Sequence, residues 1–396
     1  MQSVADALEQ VLARTKPLET ELVPTARSLD CYLADTVFSP AALPRWDNSA
    51  MDGYAVRSAE TPGELRIDQH IFAGDAPEQP LREGYAARIL TGAPIPPGCD
   101  AVEMQENTEA VDGSVRITKK VAAGAHIRRA GEDIAKGAET LPRGTFLGPG
   151  EIGVAAALGL SVLPVYRKPV VAILPTGNEL VELGEPIKPG QIYNSNSVAL
   201  ASQVSRAGAT PKIFAPVKDD PKATREAFED AMSADLVLSS GGVSVGDKDY
   251  VQPALKDIGA EIVFWKVAMK PGKPLLFAQK NDTLFLGLPG NPVSSMITFE
   301  LFARPALLKM QGQKDVGRVR VSVRLAEPYK KTPGRSHYLP SRIEREGNTL
   351  HAHPSKSRSS GMLSAMVGVD GLLEIPAESG PVEAGSMVSA ILLRPL

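Results

Sequence analysis

Ala234-Asp-Leu-Val-Leu-Ser-Ser-Gly-Gly-Val-Ser-Val-Gly-Asp-Lys-Asp-Tyr250 is the stretch on which the reading of this chain turns. Its first five residues form an apolar run that reads as a buried strand. Tyr250–Ile258 reads as a helix despite Pro253. Glycines and serines at a strand-to-helix turn let backbone N–H groups approach an anion closely. Asp247 and Asp249 offer hard oxygen ligands for a divalent cation. A phosphate cradle beside a cation site points to chemistry on a phosphorylated substrate. The same residues also suit a plain Gly-rich connection with solvated aspartates, and this segment alone does not separate the two.

The segments around it alternate in type. Val170–Leu174 is a buried-strand run, Ser195–Ala207 a helix, Lys212–Val217 a strand. Pro221–Met232 reads as a helix capped by Asp220, with Pro221 at its first position. Leu236–Leu238, Ile262–Phe264 and Leu284–Leu286 are further strands, and a helix runs from about Pro292 to Met310. This alternation predicts a three-layer α/β domain with a mostly parallel sheet over 168–312. Ligands of such sheets bind at the carboxyl ends of the strands. Before it, a first helix at 1–14 with Val4, Ala7, Leu8, Val11 and Leu12 on one face leads into short strands between Gly/Pro turns, and Glu151–Leu160 is helix-like. After it, residues 313–396 alternate at period two, as in Val319–Arg324, and predict a small β-barrel-like domain.

The 396 residues are 43% hydrophobic and 22% charged, the balance of a soluble globular protein. A net charge of −3 argues against nonspecific nucleic-acid binding. The one basic stretch, 313–345, holds nine Lys/Arg against three Asp/Glu. Cys31 and Cys99 fit neither a zinc spacing nor a disulfide framework, so a reducing cytoplasm is expected. The N-terminus does not read as a signal peptide, and the longest apolar stretch, Ile152–Val165, is too short and interrupted to span a bilayer.

Several turns carry candidate chemistry. Pro175-Thr-Gly-Asn-Glu-Leu180 ends the first strand of the α/β zone, with Thr176 and Gly177 able to contact a phosphate or ribose and Glu179 a hydroxyl or cation. Trp265-Lys-Val-Ala-Met-Lys-Pro-Gly-Lys-Pro274 sets Lys266, Lys270 and Lys273 around a Pro-Gly turn that can hold an oxyanion. Leu288-Pro-Gly-Asn-Pro-Val-Ser-Ser295 opens a helix whose N-terminus, with Ser294, is a second anion site. Two common motifs compete. Gly148-Pro-Gly-Glu-Ile-Gly153 fits a dinucleotide fingerprint but lacks a preceding strand of proper length and a later acidic residue. Gly242-Val-Ser-Val-Gly246 fits a nucleophile elbow at Ser244, with His337, His351 and His353 following in the order of α/β-hydrolases. No histidine lies in the α/β zone itself, where such a base belongs.

Ser49-Ala-Met-Asp-Gly-Tyr-Ala-Val, Leu90-Thr-Gly-Ala-Pro-Ile-Pro, Arg129-Ala-Gly-Glu-Asp-Ile, Thr176-Gly-Asn-Glu-Leu, Ser239-Ser-Gly-Gly-Val-Ser-Val-Gly, Lys270-Pro-Gly-Lys-Pro and Leu288-Pro-Gly-Asn-Pro occur in that order. Together they resemble the molybdopterin molybdenumtransferases, the molybdenum insertases related to the C-terminal domain of gephyrin, over nearly the whole chain. The resemblance implies a multidomain α/β and β protein. Its divisions fall at 1–46 plus 138–167, an inserted β-rich domain at 47–137, the α/β domain at 168–312, and 313–396. It implies molybdate insertion into adenylated molybdopterin with release of AMP, assisted by Mg2+. It implies a homodimer whose site is shared between subunits. The implied partners are a molybdopterin adenylyltransferase that delivers the substrate and downstream factors that mature molybdoenzymes.

Carried over by motif, the acidic and polar site residues are Asp52, Thr91, Asp133, Glu179, Asp219 and Asp249, with Glu179, Asp219 and Asp249 as metal ligands. Thr176, Gly241, Gly242, Ser244, Lys266, Lys270, Lys273, Ser294 and Arg335 are the substrate and anion contacts. Three positions depart from the family pattern. Asn178 stands where many relatives have Asp. Pro340 stands where many have a second arginine, with Arg342 two positions on as its replacement. Ser355–Ser360 resembles the family's oxyanion-contacting loop in its serine content. Adenylyl transfer to molybdopterin, a scaffold without catalysis, and the serine hydrolase are the rival readings.

Overall fold

Val170–Pro175, Leu236–Ser240 and Thr283–Leu288 are buried along almost their whole length on both faces, as strands at the centre of a covered parallel sheet must be. The computed structural model describes residues 1–77, 79–243, 249–356 and 359–396. It resolves into two compact units, one of residues 1–21, 30–34 and 164–396, the other of residues 22–29 and 35–163.

In the first unit the six-stranded sheet runs Thr210–Ile213, Val170–Pro175, Leu236–Ser240, Thr283–Leu288, Leu276–Lys280, Glu261–Trp265. The first four are parallel, and Leu276–Lys280 is antiparallel to both of its neighbours. Alternate residues of one strand serve two cores. Val171 and Ile173 pack with the helix Ser195–Arg206, with the helical run 292–310 and with Ala7 and Val11 of the helix Val4–Arg14. Ala172 and Leu174 pack with Phe228 and with the helix Val251–Asp257.

The helix boundaries follow from local chemistry. Ser3 and Asp6 form a capping box at the first helix. Asp220 caps Pro221–Asp230 by accepting from Ala223 N at 2.8 Å. Pro253 stands in the first turn of Val251–Asp257, where no intrahelical N–H is lost, so the helix tolerates it. The expected single helix from Pro292 to Met310 contains a π-helical turn, Phe299–Ala303, between Pro292–Thr298 and Arg304–Met310.

Residues 320–392 of the same unit form a closed five-stranded barrel, in the order Ser336–Glu346, Thr349–Pro354, Arg320–Leu325, Met387–Leu392, Gly371–Ile375 and back to the first. Closure removes the free edges that an open sheet of this size would expose. A short strand, Met269–Lys270, pairs with Ser336–His337.

The second unit is built on a six-stranded sheet in the order Ala101–Met104, Gly53–Val56, Tyr85–Ile89, Gly63–Ile71, Ser114–Ile117, Thr108–Val111. Asn48–Ser49 pairs with Ile127–Arg128. Its helix, Pro149–Ala157, begins two residues before the expected start because Gly148 and Pro149 provide the cap and first turn.

The central sheet depends on its aromatic filling. Phe285 is 1% exposed, with its ring centroid 5.9 Å from that of Phe228. Phe285→Ala is expected to destabilise the first unit by about 3–5 kcal/mol, read as a lowered urea midpoint of its unfolding transition.

Candidate active site

The register of the three central strands sets the site. Ser240 pairs with Pro175 on one side and with Leu288 on the other. The turns beginning at Thr176, Gly241 and Pro289 therefore leave the sheet at one level, at its carboxyl edge. A cleft of about 530 Å³ opens there.

The turns touch closely. A Cβ on Gly241, at φ +99°, would lie 2.9 Å from Thr176 Oγ1 and 3.0 Å from the Thr176 carbonyl oxygen. One on Gly242, at φ +67°, would lie 2.8 Å from a Val251 methyl. Both positions need glycine for conformation and for space. The expected donor cradle is only partly present. The N–H groups of Thr176, Gly177 and Gly241 are engaged by Ser240 O, Val217 O and Leu288 O. These residues shape the floor of the cleft through close backbone approach and do not donate to it from those groups. Ser244 lies outside the described residues.

Glu179, Asp219 and Asp249 all line this cleft, together with Thr176, Gly241 and Gly242. The Glu179 carboxylate folds back over Gly177, where a Cβ would meet it at 2.5 Å. Asn178 accepts from the Asp219 N–H at 3.2 Å, so the residue that departs from the family pattern positions a candidate ligand. No lysine or arginine is among the described residues of the lining. Nor, among the described residues, do three acidic, histidine or cysteine side chains stand close enough together to hold a metal unaided. The expected three-carboxylate metal site is thus one cleft wall, not an assembled cage.

A second cleft, of about 360 Å³, adjoins the first through Pro274 and Pro289. Lys270, Lys273, Lys330 and Arg335 line it with Ser294, Ser355, Ser359 and Ser360, and no carboxylate is among its described lining residues. The strand pairing of Lys270 with His337 brings the Pro-Gly turn against the barrel strand next to Arg335. Asn291 donates to Ser360 Oγ at 2.8 Å and Val293 N to Ser360 O at 3.1 Å, tying the Ser-rich segment to the helix start.

Lys266 is elsewhere. It lines neither cleft, and its ammonium sits 3.7 Å from the Trp265 ring centroid, held by attraction to the aromatic face. Arg342 does not line the basic cleft and packs beside Gly368, so it does not stand in for an arginine at Pro340.

His337 is buried behind the basic cleft, 2.8 Å from the Tyr329 hydroxyl. Burial first, then Lys270, Lys331 and Arg335, push its pKa down to about 4, so it is neutral at pH 7. His351 and His353 lie beside Glu346 and Glu344 on the barrel. No histidine is among the described residues lining the cleft at Gly242, which removes the base the hydrolase reading needs.

Asp52, Thr91 and Asp133 belong to the second unit. Asp52 Oδ1 accepts from Thr91 N at 2.7 Å and from Thr91 Oγ1 at 2.8 Å. These two bonds, with Arg88 nearby, hold the Asp52 carboxyl below its usual range. Asp133 is exposed in the turn after Arg129, its N–H donating to Leu43 O at 3.1 Å.

Comparison with known proteins agrees along the whole chain. The MoeA N-terminal region (domain I and II) matches residues 2–159. A probable molybdopterin binding domain matches residues 172–309, and the MoeA C-terminal region (domain IV) matches residues 322–393. A molybdopterin molybdenumtransferase of a Nostoc species is 39% identical over 95% of this chain and 89% of its own length. The chain belongs to the molybdopterin molybdenumtransferase family. Molybdopterin molybdenumtransferase 2 of Mycobacterium tuberculosis is 37% identical over 98% of both chains. The crystal structure of a molybdopterin biosynthesis MoeA protein from Pyrococcus horikoshii superposes with a TM-score of 0.87, at 30% identity, over 100% of this chain and 99% of that one.

Motif reading in this family missed Asn196, Lys330 and Tyr193, all of which line the clefts. The polar run Asn194-Ser-Asn-Ser197 at a helix start was the available signal for the first. Thr91→Val keeps the backbone donor to Asp52 and removes the hydroxyl. The Asp52 pKa is expected to rise part of the way toward the usual carboxylate value, measured by NMR titration of its side-chain carboxyl.

Proposed function

We propose that this chain inserts molybdate into adenylated molybdopterin with cleavage of the phosphoanhydride and release of AMP. The observation that carries the reading is the pair of adjoining clefts of opposite charge. Molybdate is a dianion, and the lysines with Arg335 supply the fixed positive charge that would bind it and stabilise developing oxyanions. A phosphoanhydride entering the acidic cleft meets three carboxylates and no described cation, an arrangement that repels it unless a divalent ion intervenes.

The oxygen-only donor set fits Mg2+, which binds through one or two carboxylates plus substrate phosphates. Glu179, Asp219 and Asp249 would hold it. When bound, it supplies neutralisation of phosphate charge. The protein's own side chains do the rest. Asn178 fixes the Asp219 backbone, Gly177 leaves room for the Glu179 carboxylate, and Pro274 and Pro289 form a shared wall between the clefts.

Three finer readings belong to the same proposal. The chain works as a homodimer in which Asp52, Thr91 and Asp133 of one subunit and Asp249 and Lys270 of the other act on one substrate. Its organisation is four-part, with boundaries near 47, 138, 168 and 313. It takes its substrate from an adenylyltransferase in the cytoplasm and passes its product toward molybdoenzyme maturation factors. No helix among the described residues is long and apolar enough to cross a membrane.

The direct test is AMP release from adenylated molybdopterin, with and without molybdate and Mg2+. Release that depends on both is expected, and release that ignores molybdate would overturn the reading. Asp249→Asn is expected to abolish this release while circular dichroism stays native, and near-normal turnover at saturating Mg2+ would remove Asp249 from the mechanism.

Subunit mixing tests the shared site. Asp52→Ala and Asp249→Asn are each expected to be inactive. Random exchange makes about half the dimers mixed, each with one intact site, so activity should recover toward roughly a quarter of wild type. Verified exchange without recovery would place the site within one chain.

A further inference from the structure

Asn196 stands in the first turn of the helix Ser195–Arg206 and lines the acidic cleft. Its amide nitrogen donates to the Gly290 carbonyl at 2.7 Å and to the Ser240 hydroxyl oxygen at 2.9 Å. A carbonyl only accepts, so the nitrogen and not the oxygen must face Gly290, and the orientation of the amide is settled by that contact. Ser240 ends one central strand and Gly290 follows the next. One side chain therefore ties together two turns of the cleft floor.

The consequence for Ser240 is chemical. Its hydroxyl oxygen accepts from Asn196, which leaves the hydroxyl hydrogen to donate. Its carbonyl is already taken by the Thr176 N–H at 3.2 Å. Ser240 is 4% exposed and lines the cleft beside Gly241 and Gly242, whose N–H groups are not all available to a ligand. A side-chain donor at this point supplies what the engaged Gly241 N–H does not.

We propose that Asn196 is a positioning residue for the insertion reaction: it commits the Ser240 hydroxyl to donating to a substrate phosphate oxygen and holds the turn after Ser240 against the turn at Gly290. The inference rests on reading the acidic cleft as a nucleotide-phosphate site. It makes Ser240 a direct contact to substrate and Asn196 a residue that acts through it.

The experiment is a double-mutant cycle on AMP affinity, measured by calorimetry with the full chain and Mg2+. Asn196→Ala and Ser240→Ala are each expected to weaken AMP binding about tenfold, and the double variant also about tenfold, because the two remove one interaction. Ser240→Thr keeps a hydroxyl, so in that background Asn196→Ala is expected to cost about tenfold again. Asn196→Asp can accept but not donate; it turns the Ser240 hydroxyl toward itself and is expected to weaken AMP at least as much as Asn196→Ala. It takes the place of Asn196→Ala in the cycle should that variant fail to fold.

A merely structural Asn196 would lower the unfolding temperature and give an additive, roughly hundredfold, loss in the double variant. That additivity, or unchanged affinity in both single variants, would overturn the proposal while leaving the cleft reading in place. Failure of the wild-type chain to bind AMP would overturn both.

Discussion

The in-register pairing of Pro175, Ser240 and Leu288 across three parallel strands is the constraint from which the site follows. Parallel strands in register end together, so the turns after them crowd into one layer. Crowding explains the glycines. Thr176 rests on Gly241 and Gly242, the Gly241 Cα lies 3.6 Å from where a Gly290 Cβ would be, and a side chain on Gly287 would strike Val243 at 2.5 Å. The turns lie so close that their backbone groups satisfy one another. The same closeness that builds the cleft floor removes several N–H groups from ligand binding, and side chains take over.

The division of charge is the second organising feature. One wall of Pro274 and Pro289 separates three carboxylates from four cations. Mixed, these groups would pair and neutralise one another in the partly shielded clefts. Kept apart, the two clefts present opposite charge to a ligand. The short pairing of Met269–Lys270 with Ser336–His337 fastens the lysine turn to the barrel strand, and none of its lysines lines the cleft of Glu179 and Asp219. Neutral His337 beneath it adds no further charge to a cleft already rich in cations.

Much of this was legible in residues. Apolar runs bounded by Gly and Pro placed five of the six strands of the central sheet and missed Leu276–Lys280, which follows the lysine-rich turn directly. Asp220-Pro221 announced a helix start that the Ala223 hydrogen bond bears out. Period-two alternation announced the barrel, although not that Ser336–Glu346 pairs on both sides to close it, because closure is a non-local choice of partners. Glu179, Asp219 and Asp249 were named from motifs, and all three reach one cleft. Lys266 lies apart from the other two lysines for a local reason: it follows Trp265 with a left-handed φ of +74°, and its ammonium sits over the neighbouring ring. Donor availability could not be read at all. Whether the Gly241 N–H faces a ligand or Leu288 O depends on which strand ends beside it.

That last gap bears on how Gly-rich turns are interpreted generally. A run such as Ser239-Ser-Gly-Gly is usually credited with binding anions through backbone N–H groups. Here the N–H groups of Thr176, Gly177 and Gly241 are turned inward, and the described residues of the cleft wall carry net negative charge. Under the proposed function, hydroxyls, a bridging cation and the neighbouring lysines supply phosphate contacts that these three N–H groups do not. Gly241 and Gly242 serve close packing of the strand ends, and under the proposed function the chemistry falls to the side chains that those ends bring together.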